Sequence, residues 1–163
     1  METEIRILLV DDDAADLQQT LEALRRRCLG HAVRTARGGQ EALDFLFGRG
    51  LFHLRRRFPL PDVILLDLNM PGTDGFAVLR QVRQAEALRR IPVVALCTSQ
   101  CEGERGMSCE FRANGYVVKP VIFESLSTLS QRIENWTLRL DLPPRSYTGM
   151  PKNPVIFNSL YTA

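Results

Sequence analysis

The sequence predicts an α/β fold, a parallel sheet covered by helices on both faces. Short, nearly continuous apolar runs recur at residues 5–10, 63–66, 93–97 and 116–118, as expected of strands buried on both sides. Between them lie segments whose apolar residues recur at helical spacing. The two types alternate with short connections, the order that right-handed crossovers wind into a parallel sheet.

The first strand, 5–10, stops at Asp11-Asp12-Asp13. Leu17, Leu21, Leu24 and Cys28 then mark one face of a helix that Asp13 can cap and Gly30 can end. Asp16 suits the positive end of that helix. A weak strand at 32–36 is broken by Gly38-Gly39, and Ala42, Leu43, Leu46 and Phe47 mark a second helix. Residues 48–61 hold Arg55-Arg56-Arg57 between Gly and Pro and read as an exposed loop, which could also touch phosphate or an acidic partner. Residues 62–67 form the clearest strand, followed by a turn cluster at 70–75. Phe76, Leu79, Val82 and Leu88 mark a third helix, and 92–97 a fourth strand with Pro92 at its start. A helix is due at 100–113 by position, although Gly103 and Gly106 each disfavour it by about 1 kcal/mol. Residues 115–118 are the fifth strand, and Ile122, Leu126, Leu129, Ile133, Trp136 and Leu140 run on at alternating spacings of four and three.

Composition excludes several functions. The 163 residues are 45% hydrophobic and 25% charged, with a net charge of +2, so one ordinary folded domain is expected rather than a polybasic nucleic-acid binder. No apolar run approaches a membrane span or a signal-peptide core. Cys28, Cys97, Cys101 and Cys109 form no CxxC pair, and His31 and His53 are the only histidines, so reduced thiols in the cytoplasm are expected and zinc is not. Lysine is scarce: Lys119 and Lys152 stand against 19 arginines. A compact ammonium kept among so many guanidiniums marks Lys119 for attention.

In an open parallel sheet, ligands sit beyond the carboxyl ends of the strands, near the point where strand order reverses. There the sequence places Asp11 and Asp12 after strand one, Asp67 at the end of strand three, Thr98 and Ser99 after strand four, and Lys119 after strand five. Three carboxylates in one crevice repel unless a cation neutralises them. A hard divalent ion, Mg²⁺ or another such as Mn²⁺ or Ca²⁺, fits oxygen donors. A metal with an adjacent hydroxyl and ammonium suits phosphoryl transfer, and an aspartate can itself be the nucleophile. Asp67, ending the central strand, is best placed for that.

Val10-Asp11-Asp12-Asp13, Leu66-Asp67-Leu68-Asn69-Met70-Pro71-Gly72, Cys97-Thr98-Ser99 and Val118-Lys119-Pro120, in this order and spacing, resemble the response regulator receiver domain over residues 5 to about 140. The resemblance implies a three-layer flavodoxin-like, doubly wound sheet of five parallel strands, order 2-1-3-4-5, with a C-terminal extension. It implies Asp67 as phosphoacceptor, and Asp11, Asp12, Asp67 and the backbone carbonyl of Asn69 around the metal. Thr98 and Lys119 would bind the phosphoryl group, Tyr116 would turn inward as Thr98 moves, and the bond before Pro120 would be cis. Arg112 departs from the family pattern, where Gly is usual. The implied function is a two-component response regulator, a phosphoacceptor for a sensor histidine kinase rather than an enzyme in its own right.

Two rivals are weaker. A haloacid-dehalogenase-type phosphatase wants an acid where Asn69 stands, and a nucleotide or flavin binder wants a glycine-rich loop after strand one. A receiver-like interaction module that works without phosphorylation is the alternative that remains.

The boundaries expected are a receiver domain at 1–141 and a proline-containing arm at 142–163. The remainder after Lys119 is too short for a DNA-binding output domain, so a stand-alone receiver without direct nucleic-acid contact is expected. A helix over 122–140 would be about 30 Å long, longer than strands of about 17–20 Å. Its overhanging stripe, Ile122, Leu126, Leu129, Ile133, Trp136 and Leu140, suggests a partner helix, most simply a second copy. Val155, Ile156 and Phe157 of the arm need an apolar surface, expected on the other protomer, with fold-back onto its own domain as the alternative. The Trp-bearing helix before Asp141-Leu142-Pro143-Pro144 is similar to regulators paired with bacterial phytochrome kinases.

Overall fold

The computed structural model describes residues 5–26, 32–72, 74–97, 113–121 and 155–156. Six parallel strands lie in the order β2-β1-β3-β4-β5-β6. They are β1 (Ile7–Val10), β2 (Val33–Ala36), β3 (Val63–Asp67), β4 (Val93–Cys97), β5 (Gly115–Val118) and β6 (Val155–Ile156). Three helices are described: α1 (Ala14–Arg26), α2 (Gly39–Phe47) and α3 (Gly75–Gln84). The expected order 2-1-3-4-5 is present, and β6 extends it past β5.

The continuous apolar runs separate into two faces, because successive strand residues point to opposite sides. Leu8, Val10, Ile64, Leu66, Ala95, Tyr116 and Val118 join α2 and α3 through Leu43, Leu46, Val78, Leu79 and Val82. Ile7, Leu9, Val63, Leu65, Val94, Leu96 and Val117 join α1 through Ala23 and Leu24, with Leu17 and Leu21 partly covered. Each fully buried leucine contributes about 1.5–3 kcal/mol relative to an exposed one. The register, Val10 beside Leu66 and Asp67 beside Leu96, aligns the carboxyl ends of β1, β3 and β4 at one rim.

Helix ends follow local chemistry. The Asp13 carboxylate accepts from the backbone N–H of Ala15 at 2.9 Å and of Asp16 at 3.0 Å, capping α1. Asp74 does the same for α3, accepting from Ala77 N at 2.7 Å. The third helix is shorter than the spacing predicts. It ends at Gln84, Ala85 is extended, and Leu88 reaches the core (2% exposed) from a turn. Arg83 holds that turn by donating to the Arg89 carbonyl at 3.1 Å and the Ile91 carbonyl at 2.9 Å.

One further feature differs from the sequence expectation, and one extends it. In the 48–61 loop, Arg55 is not solvated with its neighbours. It donates to the Phe45 carbonyl at 2.7 Å and to that of Leu46, closing the carbonyl end of α2, while Arg56 and Arg57 are exposed. In the arm, Val155 and Ile156 pair with Gly115 and Tyr116, adding a sixth strand at the edge of β5. The helical stripe Ile122 to Leu140, the segment 100–112 with Gly103, Gly106 and Arg112, and Phe157 lie outside the described residues. No helix among the described residues is long and apolar enough to cross a membrane.

Candidate functional site

Three strands deliver charge to one rim. Asp11 follows β1, Asp67 ends β3 and Lys119 follows β5, whose chain is held there by Lys119 N donating to the Cys97 carbonyl at 2.7 Å. Asp11 and Asp67 are buried and Asp12 is half-buried, and one carboxylate oxygen from each lies within 4.8 Å of the others. One oxygen of each buried acid is anchored by backbone. Asp13 N donates to Asp11 Oδ1 at 3.0 Å, and Asn69 N donates to Asp67 Oδ1 at 3.1 Å. The second oxygens face Lys119 Nζ, at 2.9 Å for Asp11 Oδ2 and 3.2 Å for Asp67 Oδ2. Apart from that ion pair, the buried Asp11 Oδ2 has no partner among the described residues.

Asp16 completes the group, its Oδ2 lying 3.0 Å from Lys119 Nζ. From the sequence alone, Asp16 is expected only to complement the helix dipole. The signal that could have found it is its place in the first turn of the helix that leaves the rim directly after Asp11 and Asp12.

The electrostatics follow from crowding. Burial, reinforced by the charge of Asp11, pushes the Asp67 carboxyl up to about 6, against the opposing pull of the Asn69 N–H and Lys119. Burial alone would favour neutral Lys119, but its hydrogen bonds to Asp11 and Asp16 and the charges of Asp67 and Asp11 outweigh that and raise its pKa. Asp13 is held below the usual carboxylate range by the Asp16 N–H, as suits a helix cap.

These residues fit a divalent cation. Three carboxylates meet one ammonium with Asp12 beside them, the donor set is all oxygen, and a buried acid whose pKa is pushed up is short of positive charge. Asn69 is exposed beside Asp67. Tyr116 is 5% exposed in β5, on the face packed by α2 and α3. The Lys119–Pro120 peptide bond is cis. Thr98 lies outside the described residues.

Gly75 sets the spacing between α3 and this rim. A Cβ there would fall on the Asp67 carbonyl oxygen and within 2.5 Å of the Leu68 Cα.

Residues 7–131 match the response regulator receiver domain family. The chain is 38% identical over 138 residues to response regulator Rcp1 of Synechocystis sp., spanning 84% of this chain and 92% of that protein. The solved structure of Rcp1 with Mn²⁺ bound superposes with a TM-score of 0.66 at 36% identity, covering 86% of this chain and 99% of the other. The bacteriophytochrome response regulator RtBRR gives a TM-score of 0.67 at 40% identity over 91% of this chain and 85% of that one. The phosphorylated cyanobacterial phytochrome response regulator RcpA gives 0.69 at 35% identity, over 88% of this chain and 100% of its own.

Proposed function

The chain belongs to the response regulator receiver family, and from that premise we propose that Asp67 accepts a phosphoryl group from the phosphohistidine of a sensor histidine kinase. The observation that carries this is the convergence of Asp11, Asp12, Asp67 and Lys119 at one rim, with Asp67 Oδ2 only 3.2 Å from the ammonium.

The steps follow from these residues. An Asp67 oxygen attacks phosphorus in line. The P–N bond to the kinase histidine breaks, and its electrons stay on the imidazole, which takes up a proton. Asn69 N–H holds the other Asp67 oxygen, fixing the direction of attack. Lys119 is the group that can pair with a phosphoryl oxygen as charge builds there. Asp11 and Asp12, with Asp67 and the Asn69 carbonyl, would hold the divalent ion. When bound, that ion neutralises charge on the transferring phosphoryl group. Water later cleaves the acyl phosphate, returning Asp67 and releasing inorganic phosphate. Beyond that assisted gain and loss of phosphate, the chain turns over no substrate of its own.

The signal would be a population shift in the face around β5, with Thr98 and Tyr116 moving together. The likeness to RcpA and RtBRR favours a phytochrome kinase as donor, in the cytoplasm. Such a chain would signal through contact with proteins rather than with nucleic acid or membrane.

Incubation with acetyl phosphate and Mg²⁺ is expected to add one phosphoryl group to the intact mass, acid-stable and base-labile, and EDTA is expected to prevent it. A chain that gains nothing with Mg²⁺ would overturn the reading.

The same reading includes a homodimer. The stripe Ile122, Leu126, Leu129, Ile133, Trp136 and Leu140 would pair with its twin, and the arm would brace it through Val155, Ile156 and Phe157. A strand that docks on β5 can be supplied by either copy, since the edge it meets is the same. Deleting 143–163 is expected to turn a dimer into a monomer by light scattering; an unchanged dimer removes the arm from the interface.

A further inference from the structure

An ammonium has three N–H donors. Three carboxylate oxygens surround Lys119 Nζ: Asp11 Oδ2 at 2.9 Å, Asp16 Oδ2 at 3.0 Å and Asp67 Oδ2 at 3.2 Å. Asp16 Oδ2 accepts a hydrogen bond from this ammonium, so a phosphoryl oxygen arriving on Asp67 competes with that carboxylate for the same N–H donors.

The three do not yield equally. The Asp11 side chain is fully buried (0% exposed), and among the described residues its Oδ2 has no partner other than Lys119. The Asp67 side chain is 4% exposed and carries the incoming group itself. The Asp16 side chain is 42% exposed, so water can replace Lys119 there at little cost. Asp16 also stands apart from the three acids whose oxygens could share one cation. It is therefore the contact that yields first, and its strength opposes phosphorylation.

We propose that Asp16 competes with the phosphoryl group for Lys119, a positioning residue that sets how readily Asp67 is phosphorylated. This rests on the reading of Asp67 as the phosphoacceptor. Asp16 acts only through the ammonium. Its effect must then vanish when Lys119 is absent, whereas a general effect of its negative charge on the donor or the cation would persist.

At saturating Mg²⁺, Asp16→Asn is expected to speed phosphorylation by acetyl phosphate about two- to five-fold, the range a half-exposed ion pair commands. Asp16→Glu, which keeps the charge, should return most of the way to the native rate. In a Lys119→Met background, Asp16→Asn should change nothing. An unchanged or slower Asp16→Asn protein overturns the proposal, and so does an equal gain without Lys119.

If the Lys119→Met protein reacts too slowly to measure, the ammonium itself decides. The chain has only two lysines, Lys119 and Lys152, so ¹⁵N-lysine labelling gives two side-chain signals. The Lys119 signal should respond to beryllofluoride, a phosphoryl mimic, at lower concentration in Asp16→Asn than in the native chain. Identical responses overturn the proposal. A native chain that takes up neither phosphate nor beryllofluoride fails at Asp67 instead. The Asp16 contact is then read from the same signal, which must shift between native and Asp16→Asn protein without any ligand.

Discussion

Replacing Lys119 with methionine is expected to destabilise the metal-free protein by about 3–5 kcal/mol at neutral pH, the range seen when one partner of a buried ion pair is removed. Lys119 is 13% exposed, and the fully buried Asp11 behind it has no second partner for its Oδ2 among the described residues. Without the ammonium, Asp11 and Asp67 face each other uncompensated.

The loss should shrink in two ways. Added Mg²⁺ supplies the missing charge. Acid does so as well, and the sign can be checked on Asp67. Its carboxyl is raised in the folded chain from 3.8 to about 6. The folded state therefore binds that proton more tightly than the unfolded one. The stability this brings is complete below about 3.8 and is lost as the pH rises through about 6. Removing Lys119 removes an influence that holds this value down, so the window moves upward. Urea midpoints of Lys119→Met should recover between pH 8 and pH 5 more steeply than those of the native chain. A variant as stable as the native protein at pH 8 would show that the ammonium does not neutralise this rim.

Gly75→Ala carries the second large effect. In an open helix position alanine would be favoured over glycine by about 1 kcal/mol. Here the added carbon meets the Asp67 carbonyl oxygen and carbon and the Leu68 Cα, all backbone. No side chain can rotate away, so either α3 or the end of β3 must move. Overpacking of this kind costs about 1–3 kcal/mol and sometimes more. A loss of 2 kcal/mol or more is expected, with a fall in melting temperature of roughly 4–8 °C. The shift also disturbs the segment that orients Asp67, so phosphorylation should slow. Gly38→Ala is the control. Its backbone is extended at φ 168, a Cβ there meets nothing within 4 Å, and its stability should change by less than about 0.5 kcal/mol. Equal behaviour of the two variants would contradict the packing described.

What was legible in the sequence was what local pattern determines. β1, β3, β4 and β5 announced themselves because strands buried on both faces must be apolar throughout, and their last residues named the rim. Asp13 was legible as a cap because capping depends only on the next few residues. Other features depend on contacts distant in sequence and left no local mark. Arg55 closes α2 because the loop folds back on residues about ten positions earlier. Leu88 kept helical spacing, yet it reaches the core from a turn that Arg83 ties down. Asp16 joins the site only because β5 delivers Lys119 from 103 positions away. β6 is two residues long and has no periodicity to detect; it exists because β5 leaves an edge to pair with.

The central claim is that one aspartyl oxygen, Asp67, captures phosphorus at this rim. Borohydride reduces an aspartyl phosphate to homoserine, which marks the acceptor covalently. Peptide mapping by tandem mass spectrometry after treatment with acetyl phosphate, Mg²⁺ and borohydride is therefore the most direct measurement. The account predicts homoserine at position 67 alone, and no phosphoryl uptake by Asp67→Asn. Homoserine at any other position, or undiminished uptake by Asp67→Asn, would contradict it.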